Sequence, residues 1–274
     1  MDFHNQHVII TGGSSGIGRA IARLLAQRGA DVSIIARRQE LLDETLAELE
    51  SLRKNPSQRL MSHSADLAEW EQAQEAIAEL TADDHPPDIL INSAGFAHPG
   101  YFEELPLDIF HTTMDIDYFG TVYTTKAVVP TMIERRSGHI VNFSSIAGFL
   151  PVFGYSAYSP AKYAVRGFSE VLRSELKPYG IRISIVFPTD TDTPQLNYEN
   201  QFKPLETLRI SETSQVMAVG RAAQSIVRGI ERQKPYILPS FDGRLYFLLF
   251  NGPTGLYHWY CDRIVAKARR ERGA

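Results

Sequence analysis

Apolar residues along this chain fall into two alternating patterns. Short, nearly continuous aliphatic runs bounded by turn formers predict strands over 7–11, 32–36, 59–63, 89–92, 139–143, 181–187 and 236–238. Between them, apolar positions recur at helical spacing and predict helices over 17–28, 39–54, 69–81, 107–136, 156–177 and 211–233. Parallel neighbours need a connection long enough to return across the sheet, and these helices supply it. The order therefore predicts a doubly wound, Rossmann-like α/β fold: a mostly parallel seven-stranded sheet with helices on both faces. No repeat, low-complexity tract or shift in composition divides the chain, so 1–274 reads as a single nucleotide-binding domain.

Two stretches do not fit the alternation. The segment 189–210 is polar and interrupted by proline, too much so for core, and reads as a mobile substrate lid over a site. The extension 241–274 gathers aromatic residues up to Tyr260 and then Arg263, Lys267, Arg269, Arg270 and Arg272. That pattern suits a peripheral contact with a membrane surface, and equally an oligomer contact or a wall of the substrate pocket. Its longest apolar block, Leu245 to Phe250, is far short of the ~20 residues that span a bilayer.

Composition narrows the task. Of the 274 residues, 28 are Lys or Arg and 32 are Asp or Glu, a net of −4 that gives no reason to expect nucleic acid as partner. The single cysteine, Cys261, leaves no intramolecular disulfide framework and suits a reducing cytoplasm. The N-terminus lacks the basic and apolar regions of a secretory signal. Eight histidines are scattered without ligand spacing, so no metal site is expected.

Directly after the first strand stands Thr11-Gly12-Gly13-Ser14-Ser15-Gly16-Ile17-Gly18-Arg19, opening a helix. Glycines at 12, 16 and 18 allow a tight turn, close approach of backbone to a pyrophosphate and close helix packing, while the helix N-terminus offers N–H donors. The second strand ends in Ala36-Arg37-Arg38, without the carboxylate that normally holds the adenosine ribose of NAD. Arg37 can instead present its planar fork to a 2′-phosphate, helped by Arg38, Ser14 or Arg19, so NADP(H) is the expected cofactor. After the fifth strand come Ser145, then Tyr158 and Lys162, which are four apart and share a helix face. An ammonium beside a phenol lowers its pKa from ~10 toward the working pH, and Ser145 can hold a carbonyl oxygen.

Together with Asn92-Ser93-Ala94-Gly95 and Tyr158-Ser159-Pro160-Ala161-Lys162, these motifs resemble the short-chain dehydrogenase/reductases over about residues 5 to 240. The resemblance implies that Tyr158 donates the proton, Ser145 positions the carbonyl, and Lys162 lowers the Tyr158 pKa and binds the nicotinamide ribose. It places Asp66 and Leu67 at the adenine, and Asn92, Ala94 and Gly95 along the cofactor bed with Ser15, Ile17 and Pro188. The Thr191 backbone and the Thr193 side chain would meet the nicotinamide carboxamide. A homodimer or homotetramer, paired through the helices near 107–136 and 156–177, is implied too.

Two departures stand out. Asp117 occupies a position where the family usually has Asn, which anchors a water in the proton relay. The carboxylate either strengthens the charge on Lys162 or disturbs the relay, and if the family role rests on the main-chain carbonyl the change is nearly silent. The phrase Pro188-Thr189-Asp190-Thr191-Asp192-Thr193-Pro194, where many relatives continue Pro-Gly, resembles the 3-ketodihydrosphingosine reductases in particular. A turn followed by a helix cap accounts for it equally well. The subfamily resemblance implies NADPH-dependent reduction of 3-ketosphinganine, a lipid-like ketone. Other bulky ketones or alcohols (steroid, retinoid, 3-oxoacyl) form the second reading, and a silent NADP-binding protein the third.

Overall fold

The strand runs close into one sheet because each is flanked by a helix that covers it. In the computed structural model, which describes residues 2–211 and 215–251, β1 (His7–Thr11), β2 (Asp31–Ala36), β3 (Leu60–Ser64), β4 (Ile89–Asn92), β5 (Gly138–Phe143), β6 (Ile181–Val186) and β9 (Tyr236–Ile237) form a seven-stranded sheet. Its order is β3-β2-β1-β4-β5-β6-β9, and every pairing is parallel. Alternation along β1 shows the two-faced core: Val8 and Ile10 join the cluster of Ile21, Leu25, Val227 and Ile230, whereas Ile9 joins that of Ile77, Val128 and Met132. The chain winds outward from β1 to β3 and then returns to β4, so the carboxyl ends of β1 and β4 part to leave a crevice, the usual place for a ligand in such sheets.

The crossover helices are α1 (Gly16–Ala26), α2 (Gln39–Ser51), α3 (Trp70–Leu80), α4 (Leu107–Met114) with α5 (Gly120–Arg135), α6 (Tyr158–Leu176) and α9 (Val219–Glu231). Three departures from the sequence reading bear on the site. The long helix over 107–136 is broken by a π-helical turn, Asp115–Phe119, which the 3.6-residue period cannot reveal. The segment 189–210 is not a plain loop. It holds β7 (Thr191–Asp192), paired with β8 (Met217–Ala218), and the helices α7 (Pro194–Glu199) and α8 (Leu205–Ser211). The helix expected from 211 begins only at Val219, because Met217 and Ala218 are drawn into that pairing. A further helix, α10 (Phe241–Asn251), continues past the sheet. Cys261 and the basic residues Arg263 to Arg272 lie outside the described residues.

Candidate active site

The glycine turn is shaped as the sequence suggests. Gly12 has a left-handed backbone (φ +67°), and a Cβ there would lie 2.9 Å from the Ala94 backbone nitrogen. A Cβ on Gly18 would collide with the Gly12 carbonyl oxygen. Both contacts hold the first turn of α1 tight against β1 and β4, with N–H groups facing the crevice. Thr11 reinforces this, its hydroxyl accepting from the backbone nitrogens of Ser93 and Ala94, each at 3.1 Å. Gly12, Ser15, Gly16, Ile17, Gly18, Ala94 and Gly95 line one end of a cleft of about 300 Å³. A cradle that any side chain would fill, aimed by a helix N-terminus, fits the pyrophosphate of a dinucleotide.

The other cofactor candidates lie around this cradle in three ways. Arg37 is exposed at the end of β2 with Nη1 4.0 Å from Asp66 Oδ2, and Arg38 is the residue that precedes α2, its side chain making no capping bond. Arg19 does not join them: Nε donates to Glu48 Oε2 at 3.0 Å. Ser14 is buried below the turn, and Leu67 packs in the core rather than in the cleft lining. Asn92 acts from behind. Its amide donates to Asn142 Oδ1 at 2.9 Å and to Thr125, and it accepts from Thr124, a buried network that sets β4 against β5 and α5. Pro188, Thr191 and Thr193 line the far wall. Thr193 caps α7, accepting from the Leu196 nitrogen at 3.3 Å with Pro194 in the first helical position, so the capping reading of this phrase holds.

At the middle of the cleft the structure brings together Ser145, Tyr158 and Lys162. Ser145 follows β5, and its hydroxyl, which accepts from the Ala147 nitrogen at 3.2 Å, lines the cleft with the Tyr158 phenol. Tyr158 opens α6, which places Pro160 in the first turn, where its missing N–H has no partner to lose. The neighbouring Ser144 hydroxyl donates to the Lys162 carbonyl at 2.9 Å and ties that turn to the end of β5. Lys162 is buried, with Nζ 5.4 Å from the Tyr158 ring centroid, 3.2 Å from the Phe143 carbonyl oxygen and 3.4 Å from Asp117 Oδ2.

Asp117 reaches this centre from the π-helical turn. It is fully buried, and Oδ1 accepts from the Phe96 nitrogen at 2.6 Å, while Oδ2 lies close to Lys162 but off the line of a hydrogen bond. Burial pushes its carboxyl pKa up, and the Lys162 charge opposes that shift. Its carbonyl accepts from the Thr121 hydroxyl at 2.8 Å. Burial also carries Tyr158 well above the ordinary phenol value, with Asp117, Glu199 and Asp190 pushing the same way and the Ser145 hydroxyl opposing. In the protein alone, therefore, Tyr158 is a neutral acid. Lys162 stands close enough to the Tyr158 ring to favour the phenolate once the proton has left, and Asp117 faces the same ammonium.

Sequence reasoning did not single out four groups at the substrate end: Tyr155, Asp190, Gln195 and Glu199 all line the cleft. Its remaining walls are apolar, from Ile146, Leu150, Val152, Leu196, Ile210 and Tyr246.

The family profile "short chain dehydrogenase" matches residues 6–204. The chain is 42% identical over 229 residues, 83% of its own length and 69% of the relative's, to the 3-dehydrosphinganine reductase of Danio rerio. It is 40% identical over 275 residues, 95% of its length and 82% of the relative's, to the 3-ketodihydrosphingosine reductase of Dictyostelium discoideum. Among solved structures, a short-chain dehydrogenase from Sphingobium yanoikuyae in complex with NADPH superposes with a TM-score of 0.78 at 29% identity, covering 92% of this chain and 94% of that one.

Proposed function

The chain belongs to the short-chain dehydrogenase family, and on that premise we propose that it reduces the C3 ketone of 3-ketosphinganine to the alcohol of sphinganine, with NADPH as reductant. The carrying observation is the set of Ser145, Tyr158 and the buried Lys162 at the middle of one cleft, between a dinucleotide cradle and an apolar wall. Similarity to relatives named for this reduction, at 40–42% identity over most of the chain, supports the substrate. Arg37 and Arg38 at the end of β2, with no carboxylate on the strand end itself, support NADPH over NADH.

The nicotinamide, when bound, supplies the hydride that forms the new C–H bond at the ketone carbon. Ser145 donates a hydrogen bond to the ketone oxygen and holds it against Tyr158. The Tyr158 phenol gives its proton to that oxygen as the carbonyl π bond breaks, so one hydride and one proton yield the alcohol. Lys162 steadies the phenolate left behind, and Asp117 and the Phe143 carbonyl hold Lys162 in place. Arg37 and Arg38 hold the 2′-phosphate, and the glycine turn holds the pyrophosphate. Asp117 through its side chain, and Asn92 through the polar network beneath β4, are positioning residues. The segment 189–210 caps the substrate.

Purified full-length chain mixed with NADPH and 3-ketosphinganine is expected to consume NADPH and to form sphinganine. Tyr158→Phe lowers that turnover by at least about 100-fold while NADPH binding, read by fluorescence, is retained. Formation of no sphinganine by the unaltered chain removes the substrate assignment; full turnover in Tyr158→Phe removes the proton donor.

Among the described residues no helix is long and apolar enough to cross a membrane. A peripheral contact is the reading we favour for α10, which exposes Phe241, Leu248, Leu249 and Phe250 beside the cleft.

A further inference from the structure

The substrate end of the cleft holds a charge that the reduction as described does not use. Glu199, the last residue of α7, is buried and lines the cleft. Its Oε2 accepts from the Tyr155 hydroxyl at 2.6 Å, and its Oε1 from the Gln195 amide at 3.0 Å. Both donors are neutral, and they occupy two of the roughly four acceptor directions of a carboxylate. Lys203, in the turn after α7, is buried and its charge reaches Glu199, yet its Nζ closes an ion pair on Asp190 Oδ2 at 3.3 Å. Asp190 lines the same wall.

Lys162 is paired with Asp117 and Lys203 with Asp190, which leaves Glu199 without a cation of its own among the described residues; burial pushes its carboxyl pKa up, and the Tyr155 and Gln195 hydrogen bonds and the Lys203 charge oppose that shift. A buried carboxylate in that position is costly until an opposite charge arrives. A second observation points the same way: the Thr189 hydroxyl oxygen, in the same wall, is buried with no hydrogen-bond partner among the described residues. The polar corner is thus under-satisfied among the described residues.

We propose that Glu199 is the specificity-determining residue of the cleft: it receives the ammonium group carried by the carbon next to the substrate ketone, with Tyr155 and Gln195 aiming its carboxylate. This rests on the reading of 3-ketosphinganine as substrate, in which the amine-bearing carbon is bonded directly to the reacting carbonyl carbon. An ammonium so close to the ketone must sit beside Tyr158. The Tyr155 ring, which holds Glu199, lies 5.7 Å from the Tyr158 ring, centroid to centroid. The apolar wall then receives the alkyl chain that leaves the carbonyl in the other direction.

The test compares two ketones in the full-length chain with saturating NADPH: 3-ketosphinganine and its analogue lacking the amine, 1-hydroxyoctadecan-3-one. The unaltered chain is expected to favour the amino ketone in kcat/KM by about 30-fold or more. Glu199→Gln keeps the shape and an oxygen for Tyr155, and erases most of that preference. KM for the amino ketone rises about 30-fold with kcat nearly unchanged, while kcat/KM for the amine-free ketone moves by less than about threefold. Glu199→Asp restores part of the preference. Equal kcat/KM for the two ketones in the unaltered chain overturns the subsite while leaving the substrate reading intact, and that comparison needs no variant to fold. Equal slowing of both ketones by Glu199→Gln overturns it too, since Glu199 then only fastens α7 to Tyr155. Failure of the unaltered chain to reduce the amino ketone at all, with the amine-free ketone reduced, removes the substrate reading and the subsite together.

Discussion

Asp117 is the residue at which the sequence left the chemistry most open. It stands where the family usually carries Asn, and its carboxylate does two jobs: it accepts the Phe96 N–H and lies 3.4 Å from the Lys162 ammonium. An asparagine at 117 keeps an oxygen for Phe96, and Lys162 keeps the Phe143 carbonyl, so the fold of the site survives. What changes is charge. Asp117 is among the groups that raise the Tyr158 pKa, so removing its charge lowers that pKa. Reduction needs the protonated phenol, and activity is therefore lost as pH rises through the Tyr158 pKa. In Asp117→Asn the alkaline limb of kcat should move to lower pH, with kcat at neutral pH within about tenfold of the unaltered chain. An unmoved limb means that Tyr158 does not feel the carboxylate; loss of all turnover means that the carboxylate itself is required. At this scale Ser145, Tyr158 and Lys162 were legible because short spacings on one strand end and one helix bring them together. Glu199 and Tyr155 were not, because they are 44 residues apart and meet only through tertiary folding.

At the scale of elements, the strands were legible and the short helices were not. Continuous apolar runs mark β1, β4 and β5 to within a residue, because both faces of those strands are covered. Pro194 reads in sequence as an interruption, yet it occupies the first turn of α7, where proline is welcome. α10 is apolar on more than one side and so has no helical period to detect: Phe247 packs against Phe149, Phe187 and Tyr236, while Leu248 and Leu249 face outward. The strands also bury two imidazoles, His7 on β1 and His139 on β5. Burial lowers both pKa values from 6.5 to about 4. Between those limits the unfolded chain binds more protons than the folded one, so stability is fully present above pH 6.5 and falls as pH drops toward 4. Each group contributes up to about 3 kcal/mol of that loss. His139 bonds the Ser184 hydroxyl at 2.7 Å and its other ring nitrogen has no partner among the described residues, so it is the cleaner one to replace. Thermal melts across that range should show Tm falling with acidification, and a shallower fall in His139→Gln; equal slopes exclude His139 as a source.

For the molecule as a whole, the net charge of −4 describes no particular surface. Among the described residues exposed apolar side chains occur in several places, Phe102 and Leu107 included, and one group of them lies beside the cleft. On α10 Phe241 is 77% exposed, Leu248 73% and Leu249 70%, and α8 adds Leu205 at 62%, while Tyr246 and Ile210 of the same two helices line the cleft. Two helices that contribute to the wall of the cleft thus also carry exposed apolar side chains. A lipid surface seated on that patch would let a long-chain ketone pass from bilayer to cleft without crossing water. Each leucine-sized side chain gains about 1.5–3 kcal/mol when fully buried, so a few of them at an interface suffice for reversible binding. Ending the chain at Ser240 would strip Phe247 from Phe149 and Phe187, so charge substitutions on the outer face are the sounder probe. Full-length protein should float with phosphatidylcholine–phosphatidylserine liposomes in a sucrose gradient. Phe241→Asp combined with Leu248→Asp and Leu249→Asp should stay in the soluble fraction and still reduce detergent-dispersed ketone. Equal flotation of the two proteins would place the lipid contact elsewhere, and no flotation of either would leave the patch to a second copy of the chain or another protein.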